Sequence, residues 1–100
     1  MLWMITRTAK PGIAKERDAL RPSHLDYVFK QKNLVLGAAT VSDDDTEFIG
    51  TLYIVSAADR AAAQAFLDGD PFTQAGFYTD VKIFRLRKGP WNPNVVEGTP

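Results

Sequence analysis

The chain has no cysteine and only one histidine. Without cysteine there is no disulfide, no thiolate nucleophile and no zinc ribbon. With one imidazole, acid/base chemistry near neutral pH is reduced to a single side chain. Formal net charge is zero, so the basic excess that marks a nucleic-acid-binding face is missing. Long apolar runs are missing too. The one at Met1–Arg7 is too short for a signal peptide or a membrane span. No repeat or low-complexity segment is visible. These absences predict a soluble cytoplasmic protein that uses neither nucleic acid nor membrane as a partner.

What remains is an ordinary globular balance, with 45% hydrophobic and 24% charged residues in 100. That length fits one compact domain. A chain of this size buries roughly two-thirds or less of its unfolded surface, so it stands to gain stability from a partner subunit.

Leu2 to Thr8 is rich in β-formers and reads as a strand that Lys10-Pro11-Gly12 stops. A helical pattern follows from Ile13 to about Lys32. Pro22 predicts a break or kink near Arg21, with Pro22 in the first turn of a second segment. In that segment His24, Leu25, Val28 and Phe29 form one stripe. Leu34–Thr40 and Glu47–Val55 read as a hairpin across the polar turn Ser42–Thr46. A second helix is expected over Ser56–Leu67. Ser56 and Asp59 suggest a capping box, with Ala58, Ala62, Ala65 and Phe66 as the buried stripe. Gly69 ends it, and Asp70-Pro71 opens a further short turn by the N-cap and proline-at-N1 rule. Phe77–Leu86 is the last strand. Residues 1–87 thus read as one domain, and 88–100, with three prolines and two glycines, as an extended tail.

The order β-α-β-β-α-β predicts an α+β, ferredoxin-like fold, a four-stranded antiparallel sheet with helices on one face. The strands nevertheless carry apolar residues on both faces. Phe48, Leu52 and Ile54 alternate with Ile49, Tyr53 and Val55, and Val81 and Ile83 oppose Phe84 and Leu86. Two helices cover one face. A second copy is the simplest cover for the other, so a homodimer with facing sheets is expected, with Trp91 of the tail clasping the partner.

His24 is one candidate for chemistry, as a general acid or base; the competing reading is a buried histidine hydrogen-bonded to backbone. Asp70 is the other. It is either a carboxylate that holds the imidazole in one tautomer or simply a helix N-cap, and its two oxygens allow both. Arg21, three residues before His24, could clamp an oxyanion or lie on the surface. Asp43, Asp44 and Asp45 lack the spacing of a calcium loop and read as a solvated turn. No metal or other cofactor is expected.

Arg21-x-x-His24-Leu25, Gly37 in the second strand, and Asp70-Pro71-Phe72 with Gly76 before the closing strand together resemble the YciI-like (YCII-related domain) family over residues 1–87. The resemblance implies a dimeric α+β barrel of ferredoxin-like protomers. It also implies an active site on a His-Asp pair, which maps onto His24 and Asp70. The family includes a dehydrochlorinase of a chlorinated hydroxyhydroquinone. The expectation is therefore a cofactor-independent lyase or isomerase for a small oxygenated metabolite, aromatic ones included, with Arg21, Tyr27 and Phe72 binding the substrate. The alternative is a dimeric module that holds a small ligand or a partner protein without turning it over.

Overall fold

A computed structural model describes residues 1–95. The elements are β1 (Leu2–Ala9), α1 (Ala14–Phe29), β2 (Leu34–Val41), β3 (Phe48–Ser56), α2 (Arg60–Asp68), the single turn α3 (Pro71–Gln74) and β4 (Tyr78–Leu86). The strands form one antiparallel sheet in the order β2-β3-β1-β4. β1 and β2 are joined through α1 and leave a gap that β3 fills, the split βαβ of the ferredoxin-like α+β fold. Among the described residues no helix is long and apolar enough to cross a membrane.

Period-two alternation sends Trp3, Ile5 and Arg7 of β1, and Thr51, Tyr53 and Val55 of β3, to the helix-covered face, where all are buried. Val28 of α1 and Ala63, Phe66 and Leu67 of α2 close the core over them. Each large apolar side chain buried there contributes about 1.5–3 kcal/mol. The Trp3 indole N–H donates to the Ala57 carbonyl at 3.1 Å, so the ring is buried without orphaning its donor.

Several local expectations are corrected. α1 runs unbroken through Pro22. Proline removes one rung of the helix ladder, the bond to the Asp18 carbonyl. Both residues lie on the exposed side, where water replaces the lost bond. Phe29 leaves the predicted stripe and is 82% exposed. α2 begins at Arg60, and its cap is Asp59, whose carboxylate accepts from the Ala62 N–H at 2.8 Å. Ser56 instead ends β3. The buried stripe is Ala63, Phe66 and Leu67, with Ala58, Ala62 and Ala65 exposed. Phe66 and Leu67 carry more apolar surface than the alanines, so they decide which face turns inward.

The alternation in β3 also ends early. Phe48 lies beneath the guanidinium of Arg17 from α1, 3.8 Å from the ring centroid, rather than with Leu52 and Ile54. β3 runs so close to β1 here that a Cβ on Gly50 would collide with the Arg7 carbonyl oxygen. The β2–β3 register also shifts between Thr40 and Val41.

Leu36, Ile54, Met4 and Phe84 are cross-strand neighbours on the face away from the helices. Leu36 and Phe84 remain about half exposed, at 48% and 46%. Trp91, in the irregular stretch after β4, borders an apolar hollow of about 470 Å³ on this face with Leu2, Leu36, Ile54 and Leu86. The part of the expected tail over 96–100 lies outside the described residues.

Candidate active site

Two elements bring the site together. α1 carries His24 one turn before Val28, on its buried side. Asp70 follows Gly69, the last residue of the α2 turn, and caps α3, where Pro71 supplies a preset φ at N1. Capping directs the Asp70 carboxylate back over the start of α3. Its Oδ1 accepts from the Phe72 N–H at 3.0 Å, and Asp70 is 1% exposed. His24 Nδ1 lies 2.7 Å from the same oxygen. The carboxylate therefore serves as both helix cap and imidazole partner. The two bonds converge on Oδ1, which leaves Oδ2 for another group.

That group is Arg7. Its Nη2 donates to Asp70 Oδ2 at 2.6 Å, and the guanidinium is as deeply buried as the carboxylate. Nε donates to Thr51 Oγ1 at 2.8 Å and Nη1 to Thr73 Oγ1 at 2.7 Å. Nη2 also reaches the Tyr53 hydroxyl at 3.4 Å. The Tyr78 ring stacks 3.9 Å from the guanidinium carbon. Sequence reasoning missed Arg7, although a signal was present. Arg7 shares the inward register of Trp3 and Ile5, and a cation at an inward strand position needs a buried counter-charge.

The electrostatics follow from this packing. Burial pushes the Asp70 carboxyl pKa up. Hydrogen bonds from His24, Arg7 and the Phe72 N–H, with the Arg7 charge, outweigh burial and hold it below the ordinary 3.8. An ionised Asp70 accepts only, so the imidazole donates to it from Nδ1, and Nε2 is the nitrogen left for other work. The Tyr53 hydroxyl lies 3.5 Å from Nε2. Burial, opposed by the Arg7 charge and helped by the Asp70 charge, raises the Tyr53 pKa to about 12. The phenol therefore stays protonated at neutral pH and remains a donor.

His24 and Tyr53 border a cavity of about 310 Å³ between α1 and the β2–β3 pair. Gly37, Ala38 and Ala39 form its floor, with the Tyr53 ring in van der Waals range of any Cβ at position 37. Arg21 borders the cavity as well. So does Arg17, one helical turn earlier, which the sequence did not single out. The other expected binding residues sit elsewhere. Phe72 is fully buried and stacks on the His24 ring at 4.0 Å with 7° between planes, so it fixes the imidazole and does not line the cavity. The Tyr27 hydroxyl donates to the Phe66 carbonyl at 2.8 Å, and its ring lies against Gly69. Tyr27 thus ties α1 to α2 outside the cavity.

Asp44 organises the acidic turn. Its Oδ1 accepts from Thr46 and Ser42, and those bonds lower its carboxyl pKa. Among the described residues no cluster of His, Asp or Glu side chains is arranged to hold a metal ion.

The arrangement is an imidazole bonded to a buried carboxylate, beside a protonated phenol and two guanidinium groups at a small cavity. It can accept a proton at Nε2 and stabilise negative charge on a nearby oxygen.

Comparison with solved structures extends this picture. The 5-chloro-2-hydroxyhydroquinone dehydrochlorinase of Burkholderia phenoliruptrix AC1100, solved in complex with 2,5-dihydroxybenzoquinone, is similar at 29% identity and a TM-score of 0.78, over 89% of this chain and 96% of that one. A conserved protein from Methanosarcina mazei Go1 shares the fold at 15% identity and a TM-score of 0.58, over 86% and 92% of the two chains. An antibiotic biosynthesis monooxygenase does so at 18% identity and 0.56, over 90% and 100%. No curated protein sequence matches. Residues 1–87 match the YCII-related domain, and the chain belongs to that family.

Proposed function

We propose that the chain is a lyase or isomerase of the dehydrochlorinase type, acting on a small oxygenated ring or enol as a homodimer in the cytoplasm. The observation that carries this reading is the 2.7 Å contact between His24 Nδ1 and Asp70 Oδ1 in a histidine that borders a cavity. Further support comes from the similar dehydrochlorinase, which binds a dihydroxybenzoquinone. His24 Nε2 takes a proton from the substrate. On a chlorinated hydroquinone that proton comes from a ring hydroxyl and is returned to the chlorine-bearing carbon, so the hydroxyl becomes a carbonyl and the carbon becomes tetrahedral. Loss of a second hydroxyl proton then forms the other carbonyl, moves a ring double bond onto that carbon and expels chloride. The imidazolium is stabilised by Asp70, which stays ionised throughout. The Tyr53 hydroxyl and Arg21 donate to the oxygen on which negative charge develops. Proton transfer and charge stabilisation suffice for this step, so no cofactor is invoked.

The test is chloride release from 5-chloro-2-hydroxyhydroquinone. His24→Gln keeps the shape and a hydrogen-bonding group but removes the base, and is expected to lower kcat by about 10²–10⁴-fold. Turnover by His24→Gln at the wild-type rate overturns the mechanism. The competing reading, a ligand-binding module, draws on the structural duties of Asp70 as helix cap and Arg7 partner. It predicts that the wild type binds 2,5-dihydroxybenzoquinone without turning over the chlorinated substrate, and that His24→Gln binds equally well.

The half-exposed Leu36 and Phe84 beside the apolar hollow support the dimer, with a second copy's sheet as the cover. Light scattering at micromolar concentration is expected to give twice the chain mass of 11.1 kDa. A monomer there removes the dimer from the proposal.

A further inference from the structure

The Arg7 end of the buried network opens onto a second cavity. It lies between α2 and β4, has a volume of about 320 Å³ and shares none of its lining with the His24 cavity. A fault in the sheet sits beside it. The β1–β4 register shifts between Thr6 and Thr8, so the pairing skips Arg7, and Asp80 opposite takes φ +54°. That conformation is uncommon for a non-glycine residue, and bulges of this kind often border functional sites.

The polar groups at this cavity are incompletely satisfied. A guanidinium has five N–H donors. The bonds to Thr51, Thr73, Asp70 and Tyr53 engage four of them, leaving one on Nη1 among the described residues. The Tyr78 hydroxyl is buried and has no hydrogen-bond partner among the described residues. Arg7 and Tyr78 both line the cavity. An unpaired buried donor is costly, and native structures seldom leave one without a reason. Arg60 adds a second cation at the wall, and among the described residues no carboxylate lines it. Leu67, Val81 and Ile83 supply an apolar side.

We propose that this cavity is a second small-molecule site that takes a small organic carboxylate. Its oxygens accept from Arg7 and Tyr78, Arg60 balances its charge, and its apolar body packs on Leu67, Val81 and Ile83. The site is independent of the reaction proposed at His24.

Benzoate titrated calorimetrically into the full-length protein, with benzamide as the neutral control, tests this. Saturable benzoate binding is expected, at least about tenfold tighter than benzamide. Tyr78→Phe keeps the ring on Arg7 and removes only the hydroxyl. Arg60→Met removes a charge without opening the core. Each is expected to weaken benzoate about tenfold, while His24→Gln and Arg21→Met leave it unchanged. Three results overturn the proposal. One is binding lost in His24→Gln or Arg21→Met but kept in Tyr78→Phe and Arg60→Met, which places benzoate in the first cavity. Another is equal affinity for benzamide. The third is no saturable heat at millimolar benzoate. If Tyr78→Phe fails to fold, judged by its circular dichroism spectrum, Arg60→Met decides alone.

Discussion

Arg7 and His24 reach the same carboxylate from different elements, one from a central strand and the other from a helix. Arginine keeps its charge at every accessible pH, and the Arg7 guanidinium is 1% exposed at the edge of the second cavity. Histidine is the side chain suited to gaining and losing a proton, and His24 opens onto a cavity. The Arg7 side fixes the position and charge of Asp70, which on the proposed function lets His24 exchange a proton without losing its orienting partner. A permanent ion pair thus holds the imidazole contact in place.

The contrast is tested most severely by removing each partner in turn. Asp70→Ala strands the Arg7 guanidinium, which cannot discharge, and also uncaps α3. It is expected to cost about 3–5 kcal/mol in urea unfolding. Arg7→Met leaves a carboxylate that still has His24 and the Phe72 N–H, so a smaller loss of about 1–3 kcal/mol is expected. An Arg7→Met loss as large as that of Asp70→Ala breaks the asymmetry.

The acid limb of stability sharpens it. Asp70 has a folded pKa below its ordinary 3.8, so the unfolded chain binds that proton more readily. The stabilisation is fully present above 3.8 and is lost as pH falls through the lower folded value. Urea midpoints measured down to about pH 2 should fall steeply in the wild type and less steeply in Asp70→Asn. Parallel curves would mean that other carboxylates govern acid unfolding.

The smallest effect is expected at Tyr27. Tyr27→Phe loses only the bond to the Phe66 carbonyl, about 0.5–1.5 kcal/mol, and leaves ligand affinity at the His24 cavity unchanged. A selective loss of affinity instead returns Tyr27 to the binding residues.

The strand and helix order, the α3 cap and the inward stripe around His24 were legible because their rules are local. Asp before Pro encodes a cap within three residues, and strand alternation needs only neighbours. Arg7 escaped because alternation was applied to apolar residues, and its partner Asp70 lies 63 positions away. Tyr53 was placed on the correct strand face with Val55. That its hydroxyl approaches His24 depends on how α1 lies over the sheet, which no short window contains. Arg17 escaped because the expected break at Pro22 separated it from the His24 turn. In the continuous helix Arg17, Arg21 and His24 fall on one side of α1. The second helix was read four residues early because Ser56 has capping chemistry, yet the β3 ladder with Leu2 claims its backbone.

Asp70 ends one chain of duties and begins three: helix cap, counter-ion and imidazole partner. In evolutionary terms these duties form a single locked trait. A substitution at position 70 strikes all three at once, so position 70 is held more tightly than its partner at 7. Position 24 carries one of those duties and not the other two. On the proposed function, descendants that abandon catalysis are expected to lose the imidazole while keeping the aspartate and arginine, and a sequence survey would see that loss as a histidine that varies beside a retained ion pair.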